Sequence, residues 1–269
     1  MKSKLLLFAV VTGGLTLTGV ALHPLESRLW AQARASQPAL RLDSATAVAG
    51  QGITFGLLGG FRAIAADLTW VRVYVIWEKR DLPTVETLLK LVTTLDPRPL
   101  YFWLNSARIL AYDMPAWRIA AAGGYEAVPE PQQRRIDAEQ ARLALQRLDA
   151  AREFHPASAD LWVERANIEL TRLHDVAAAA ASYRAAWEQP HGPYYAARLH
   201  AEMLKRLGRK AEALAWLVQL HPQLPPNDEA ADASTVLARI RELERELQVP
   251  ADRAYRVPSR QSAANGRPE

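Results

Sequence analysis

Small residues and prolines return along this chain at a nearly constant interval. Ala144, Ala151 and Pro156 recur at Ala178, Ala185 and Pro190, each 34 residues on. Ala166, Ala178 and Pro190 recur at Ala201, Ala213 and Pro225, each 35 residues on. Pro97 and Pro156 are each followed six residues later by a tryptophan, Trp103 or Trp162, and four residues beyond each tryptophan stands Ala107 or Ala166. A fixed period of this length marks an array of like units, each burying its apolar face against the next. The residue types say what the unit is. Two helices approach closely where no large side chain intervenes, and proline stops a helix because it has no N–H to extend the hydrogen-bond ladder. Gly208, five residues before Ala213, supplies the glycine that a tight turn between helices uses.

Four helical hairpins follow from that register. Unit one runs from about Gly60 to Pro97, with helices over Phe61–Glu78 and Leu82–Leu95; Val85 and Val92 stand where the other units carry alanine. Unit two has helices over Pro99–Tyr112 and Gln132–Phe154. Trp103 to Pro156 is 53 residues and Trp162 to Pro190 is 28, so unit two carries 25 extra residues, near 113–131. Unit three spans Ala157–Pro190 and unit four His191–Pro225. Asp228–Gln248 reads as a capping helix: Val236, Ile240, Leu243 and Leu247 form one apolar stripe, and Arg239, Arg241, Glu242, Glu244, Arg245 and Glu246 lie on the other side. The polar stretch 249–269 reads as a disordered tail.

This pattern resembles the tetratricopeptide repeat (TPR) family over about Phe61 to Pro225. The resemblance implies an all-α fold: a right-handed solenoid of helical hairpins over 59–248, with an apolar helix before it and the capping helix behind. It also implies a concave face, built from the first helix of each unit, that binds protein or peptide partners. Carried onto this sequence, that groove holds Asp67, Trp70, Tyr74 and Trp77 from unit one and Tyr101, Leu104, Arg108 and Ala111 from unit two. Asp160, Val163, Asn167 and Leu170 come from unit three, and Tyr195, Arg198, Glu202 and Lys205 from unit four. Its first half is aromatic and its second half charged. The subgroup that clamps a terminal carboxylate uses a set of Lys, Arg and Asn of which only Asn167 has a counterpart, so that partner class is not implied. The insertion, with Met114, Pro115, Trp117, Gly123, Gly124 and Tyr125, is expected to fold over the groove of unit one, with a short helix near 117–122; an unrelated surface loop is the other reading.

The chain begins with Lys2 and Lys4 ahead of Leu5–Leu22, which carries no charge for 18 residues. As a helix that run is about 27 Å long, close to the hydrocarbon thickness of a bilayer. Residues 1–22 are therefore either a transmembrane anchor or a signal peptide, with Gly19 and Ala21 as small residues for cleavage. The anchor reading is preferred. It makes the protein a single-pass inner-membrane protein with its repeat domain in the periplasm; cleavage would give an exported soluble form. Residues 23–58, with Pro24, Pro38, Arg28, Arg34 and Arg41, read as a stalk and entry segment. Ser44–Phe61 is a second uncharged stretch, broken by five glycines, that packs against the domain or meets the membrane surface.

Composition narrows the chemistry. The chain has no cysteine, which excludes disulfides, thiolate catalysis and iron–sulfur clusters. None of its six histidines forms an HExxH pair, so no metal site is expected. There is no GxSxG nucleophile and no phosphate-cradling glycine loop followed by Lys-Ser/Thr. The 33 basic residues exceed the 29 acidic ones by only four and are spread along the chain, a poor fit to nucleic acid. The expectation is a membrane-tethered TPR scaffold or adaptor of the bacterial cell envelope, with no catalytic residue and no cofactor. The alternative is a structural subunit of an envelope secretion, pilus or polysaccharide-export machine. A remote one is an enzyme with its site in the insertion, near Asp113, Tyr125 or Glu126.

Overall fold

The computed structural model describes residues 62–257. The chain divides into two compact units, Met1–Leu68 and Thr69–Glu269. The described part of the first is the opening of one helix, α1 (Arg62–Glu78). The second holds the rest of α1, then α2 (Leu82–Leu95), α3 (Leu100–Arg108), α4 (Met114–Ala121), α5 (Glu130–Ala151), α6 (Ala159–Thr171), α7 (Val176–Glu188), α8 (Tyr194–Arg206), α9 (Lys210–Leu220) and α10 (Ala233–Glu246). The described residues contain helices and no strand. The expected anchor or signal segment, the stalk and residues 258–269 lie outside the described residues. No helix among the described residues is long and apolar enough to cross a membrane.

Local chemistry sets the helix ends. The Asp81 carboxylate accepts from the Thr84 backbone N–H at 3.3 Å, and Pro83 sits in the first turn of α2, where its missing N–H costs nothing. The Asp175 carboxylate caps α7 by accepting from Ala178 N–H at 2.9 Å. Neighbours in sequence are neighbours in space: α6 packs on α7, α7 on α8, α8 on α9 and α9 on α10, while α5 packs on both α3 and α6. Ala166, Ala179, Ala186, Ala196, Ala197 and Ala213 are wholly buried in the core these helices share.

The spacing of buried alanines departs from the expected register in one place. Ala144 and Ala151 are wholly buried, but their expected counterparts Ala178 and Ala185 are only half-buried; Ala179 and Ala186 take the core positions. The step into unit three is therefore 35 residues, and Ala179 to Ala213 is 34. Ala177–Ala181 is an unbroken alanine run, so sequence alone carries no phase there.

Unit two differs most from expectation. The extra residues hold the expected short helix, but it begins at Met114 and continues the first helix of the hairpin, and Asp113 and Trp117 meet Trp77 of unit one. Beyond Arg108 the helix runs through a π-helical turn, Ile109–Asp113, straight into α4. Pro115 explains the π-turn. It lacks an N–H and would crowd the carbonyl four residues back, and the wider turn lets Met114 N–H reach Ile109 O instead. The reversal comes at Gly123 and Gly124, with φ of 111° and 88°, where Gly124 N–H bonds Ile119 O at 2.9 Å.

Two boundaries at the other end also shift. The cap is shorter than expected. It begins at Ala233, because Asp232 accepts from Thr235 N–H after the Pro- and Asp-rich turn. Val236, Ile240 and Leu243 are buried as expected, and Leu247 is 36% exposed, past the helix end. Residues 249–257 are not a free tail: Tyr255 bonds His221 Nδ1 through its hydroxyl at 3.0 Å and donates its backbone N–H to the Glu244 carboxylate.

Gly192, between α7 and α8, has an ordinary φ, but a Cβ there would lie 2.4 Å from the Trp187 carbonyl oxygen and 2.6 Å from that of Ala186. Gly208, between α8 and α9, has φ of 75° and open space around it. Gly192→Ala must move backbone and is expected to cost about 3 kcal/mol. Gly208→Ala incurs only left-handed strain, about 1 kcal/mol. Urea unfolding of both variants checks the order, and equal costs would refute the close-approach reading of Gly192.

Candidate functional site

The residues placed in a groove by their position in each first helix form three groups. In the first, Trp70 is buried and meets Tyr74 and Tyr101 edge-on, with ring centroids 5.6 and 5.5 Å away, and Phe102 at 5.3 Å. The hydroxyls of Tyr74 and Tyr101 are hydrogen-bonded at 2.8 Å, which ties α1 to α3. That bond is the largest cause raising the Tyr74 pKa above its ordinary value. Both rings stay near half exposure, at 46% and 50%. Trp77 turns instead to the lengthened hairpin: its Nε1–H donates to Asp113 Oδ2 at 2.8 Å and its ring meets Trp117 edge-on at 5.8 Å. Leu104 is half-buried. Asp67 lies in the first unit and is exposed.

The second group is ionic. Arg108 Nε donates to Glu164 Oε2 at 2.8 Å and ties α3 to α6. The Glu164 side chain is 4% exposed and that of Arg108 is 53% exposed, so the pair is a buried carboxylate held by a surface cation. Beside it Asn167 Oδ1 accepts from the Tyr183 hydroxyl at 2.7 Å, and the Arg172 guanidinium lies 4.7 Å from the Tyr112 ring centroid. Burial raises the pKa of both Tyr112 and Tyr183, so these phenols are neutral hydrogen-bonding groups at neutral pH.

The third group lies between α8 and α10. Arg198 donates to the carbonyls of Ala230 and Ala231 at 3.0 and 2.8 Å. Lys205 and Arg239 both reach Glu242, and with them the Glu242 pKa is pulled down to about 2, the Lys205 hydrogen bond being the largest cause. Glu202 lies 3.5 Å from Arg206. These side chains rim a cleft of about 340 Å³ floored by Leu217, Val236 and Leu243. Tyr195, 43% exposed, stands apart from that cleft on the same helix.

The sequence missed Glu164, Tyr112, Tyr183 and Arg172. Glu164 follows the expected groove residue Val163 directly, and only its burial with Arg108 distinguishes it from the other glutamates on these helices. A second cleft, about 380 Å³, lies between α7 and α9 and is lined in part by Arg184, His200, Glu212 and Trp216. At its floor His200 Nδ1–H donates to Ala180 O at 2.7 Å, and the imidazole meets the Trp216 ring at 4.6 Å. Among the described residues no three His, Asp or Glu side chains gather as metal ligands. No family model, curated protein or solved structure matches the chain.

Truncating Arg108 leaves Glu164 as an unpaired buried charge. Arg108→Ala is expected to cost about 2 kcal/mol in urea unfolding, a value reduced from that of a fully buried pair by the exposure of the arginine. Glu164→Gln, which removes the charge and keeps the shape, should cost less; the reverse order would show that the pair is not what holds that carboxylate.

His200 gives a pH signature. Burial lowers its pKa, the Ala180 carbonyl opposes this, and Arg184 and Arg209 lower it further while Glu188 raises it. Burial also lowers the His221 pKa. The folded state therefore favours neutral imidazole, and the unfolded chain takes up protons first as pH falls. Stability is expected to decline as pH drops from about 7 to 5.5, well above the window in which Glu242 titrates. His200→Gln, which keeps a donor for Ala180, should flatten that decline in the urea midpoint; an unchanged slope would remove His200 as its source.

Proposed function

We propose that this chain is a non-catalytic scaffold, tethered to a membrane through residues 5–22, that binds a protein or peptide segment along the first helices of a TPR-like row of hairpins. One observation carries the reading: side chains join three pairs of helices that are not consecutive in the chain. Tyr74–Tyr101 links α1 to α3, Arg108–Glu164 links α3 to α6, and Lys205–Glu242 links α8 to α10. A matching series runs through the second helices, where Arg147 donates to Thr93 across α5 and α2 and Arg184 lies over Trp216 across α7 and α9. Such alternation supports a stack of hairpins with the first helices side by side.

The surface along that series suits a polypeptide partner. Tyr74, Tyr101 and Tyr195 keep large rings near half exposure, each with a polar tip, which is the side-chain type that anchors interfaces at small entropic cost. Arg108 projects to solvent beside them, while Glu164 is already occupied. Tethering would raise the effective concentration of a membrane partner without adding a contact.

A photocrosslinking residue placed at Tyr101 or Tyr195 in the full-length chain, expressed in a bacterial envelope, is expected to trap a discrete adduct. The same residue at Arg184, among the second helices, should trap far less. Equal trapping at all three positions, or none at Tyr101 and Tyr195, would refute binding along the first helices.

A further inference from the structure

We infer that the outward side of α1 is a surface that rests on a lipid bilayer. The inference rests on the tethered reading only for how the chain reaches the membrane. α1 is apolar on two opposite sides. Ala66, Trp70 and Val73 are buried. Val71 and Val75, on the other side, are 60% and 48% exposed, and the same face carries Ile64 and Leu68 at 55% and 66%. These four positions, at i, i+4, i+7 and i+11, make one continuous stripe. Four large exposed apolar side chains thus adjoin one another, where a water-facing helix carries them singly.

Three features favour lipid as the occupant. The stripe is a ridge of aliphatic side chains on the outer side of a helix, which a deformable acyl surface accepts without a complementary groove. Neither cleft described above offers such a groove in a second copy, since arginine, glutamate and other polar side chains rim both. The hydrogen-bonded Tyr74 and Tyr101 stand at the margin of the stripe, where rings with an apolar body and a polar tip suit the boundary between hydrocarbon and water. Arg72, Lys79 and Arg80 are exposed on or just past α1 and can meet lipid phosphates, and the exposed Asp67, Glu78 and Asp81 leave the local charge balanced.

Chain connectivity agrees. The 61 residues before Arg62 include the uncharged Leu5–Leu22 run and end in the uncharged stretch Ser44–Phe61. The stripe thus begins where the most apolar part of the chain stops. If Leu5–Leu22 spans a bilayer, residues 23–61 are ample chain to bring α1 back to its surface.

The absence of cysteine makes a clean test. Full-length protein carrying Val71→Cys, Val75→Cys or, as a water-facing control on α5, Leu143→Cys is labelled with a small fluorophore. Each is reconstituted into phosphatidylcholine–phosphatidylglycerol vesicles containing lipids brominated near the headgroup end of the acyl chain. The α1 labels are expected to be quenched at least about threefold more than the Leu143 label. Adding Leu68→Asp to the Val71→Cys protein should lower that quenching while the protein still floats with the vesicles. Equal quenching at α1 and Leu143 in floating protein overturns the inference and leaves the tether standing. Protein that does not float overturns both. Unquenched α1 labels, with Val71→Cys forming a disulfide between chains, would assign the stripe to a second copy and overturn it as well.

Discussion

The close approach of helices through alanine governs this structure. From α6 to α9 the buried contacts are dominated by Ala166, Ala179, Ala186, Ala196, Ala197 and Ala213, with Leu204, Leu217 and Leu220 filling between them. A methyl group loses no rotamer freedom on burial and lets backbones come near. Tyr183, Trp187 and Met203 are buried in the same core beside the alanines. Gly192 takes the same logic further, since the carbonyls of Ala186 and Trp187 leave no room there even for a methyl. Where large residues replace alanine the bonding changes character: α1 meets its neighbours through Trp70, Phe102, Trp77 and Trp117, a contact of tilted and edge-on rings.

That difference explains what could be read from the sequence. The helix pair of unit one, the turn at Gly208 and the buried stripe of Val236, Ile240 and Leu243 were legible because each rests on local residue type and period. The register of α7 was not, because an alanine run offers every phase at once and only the neighbouring helices select Ala179 and Ala186. The insertion was misread for a related reason. Pro115 and the Gly123-Gly124 pair look like loop signals, but a π-turn absorbs the proline and the glycines mark only the far end of a longer hairpin. Tyr255 was invisible because its partners, His221 and Glu244, are distant in sequence.

The candidate site was legible in part for the same physical reason. The TPR resemblance placed Tyr74, Tyr101, Arg108 and Arg198 along the first helices; Tyr74, Tyr101 and Arg108 bond to another helix, and Arg198 bonds to the turn before α10. It could not separate residues left open from residues consumed by structure. Trp70 is buried, Trp77 is spent on Asp113, and Asn167 on Tyr183. Glu164 shows the converse: a buried carboxylate costs several kcal/mol unless paired, and its pairing depends on an arginine 56 residues earlier. Such long-range compensation leaves no mark on the local pattern.

The two outermost described helices obey opposite rules. α10 buries Val236, Ile240 and Leu243 and holds Arg239, Arg241 and Glu242 in ion pairs on its more exposed sides. α1 buries Ala66, Trp70 and Val73 and turns Val71 and Val75 outward. Covering the outward side would gain about 25 cal/mol for each Å² of apolar surface removed from water, a gain that Lys, Glu or Gln at the same positions would forgo with no loss of helix propensity. The composition of α1 is therefore apolar on two opposite sides, one buried in the protein and one that we infer rests on lipid.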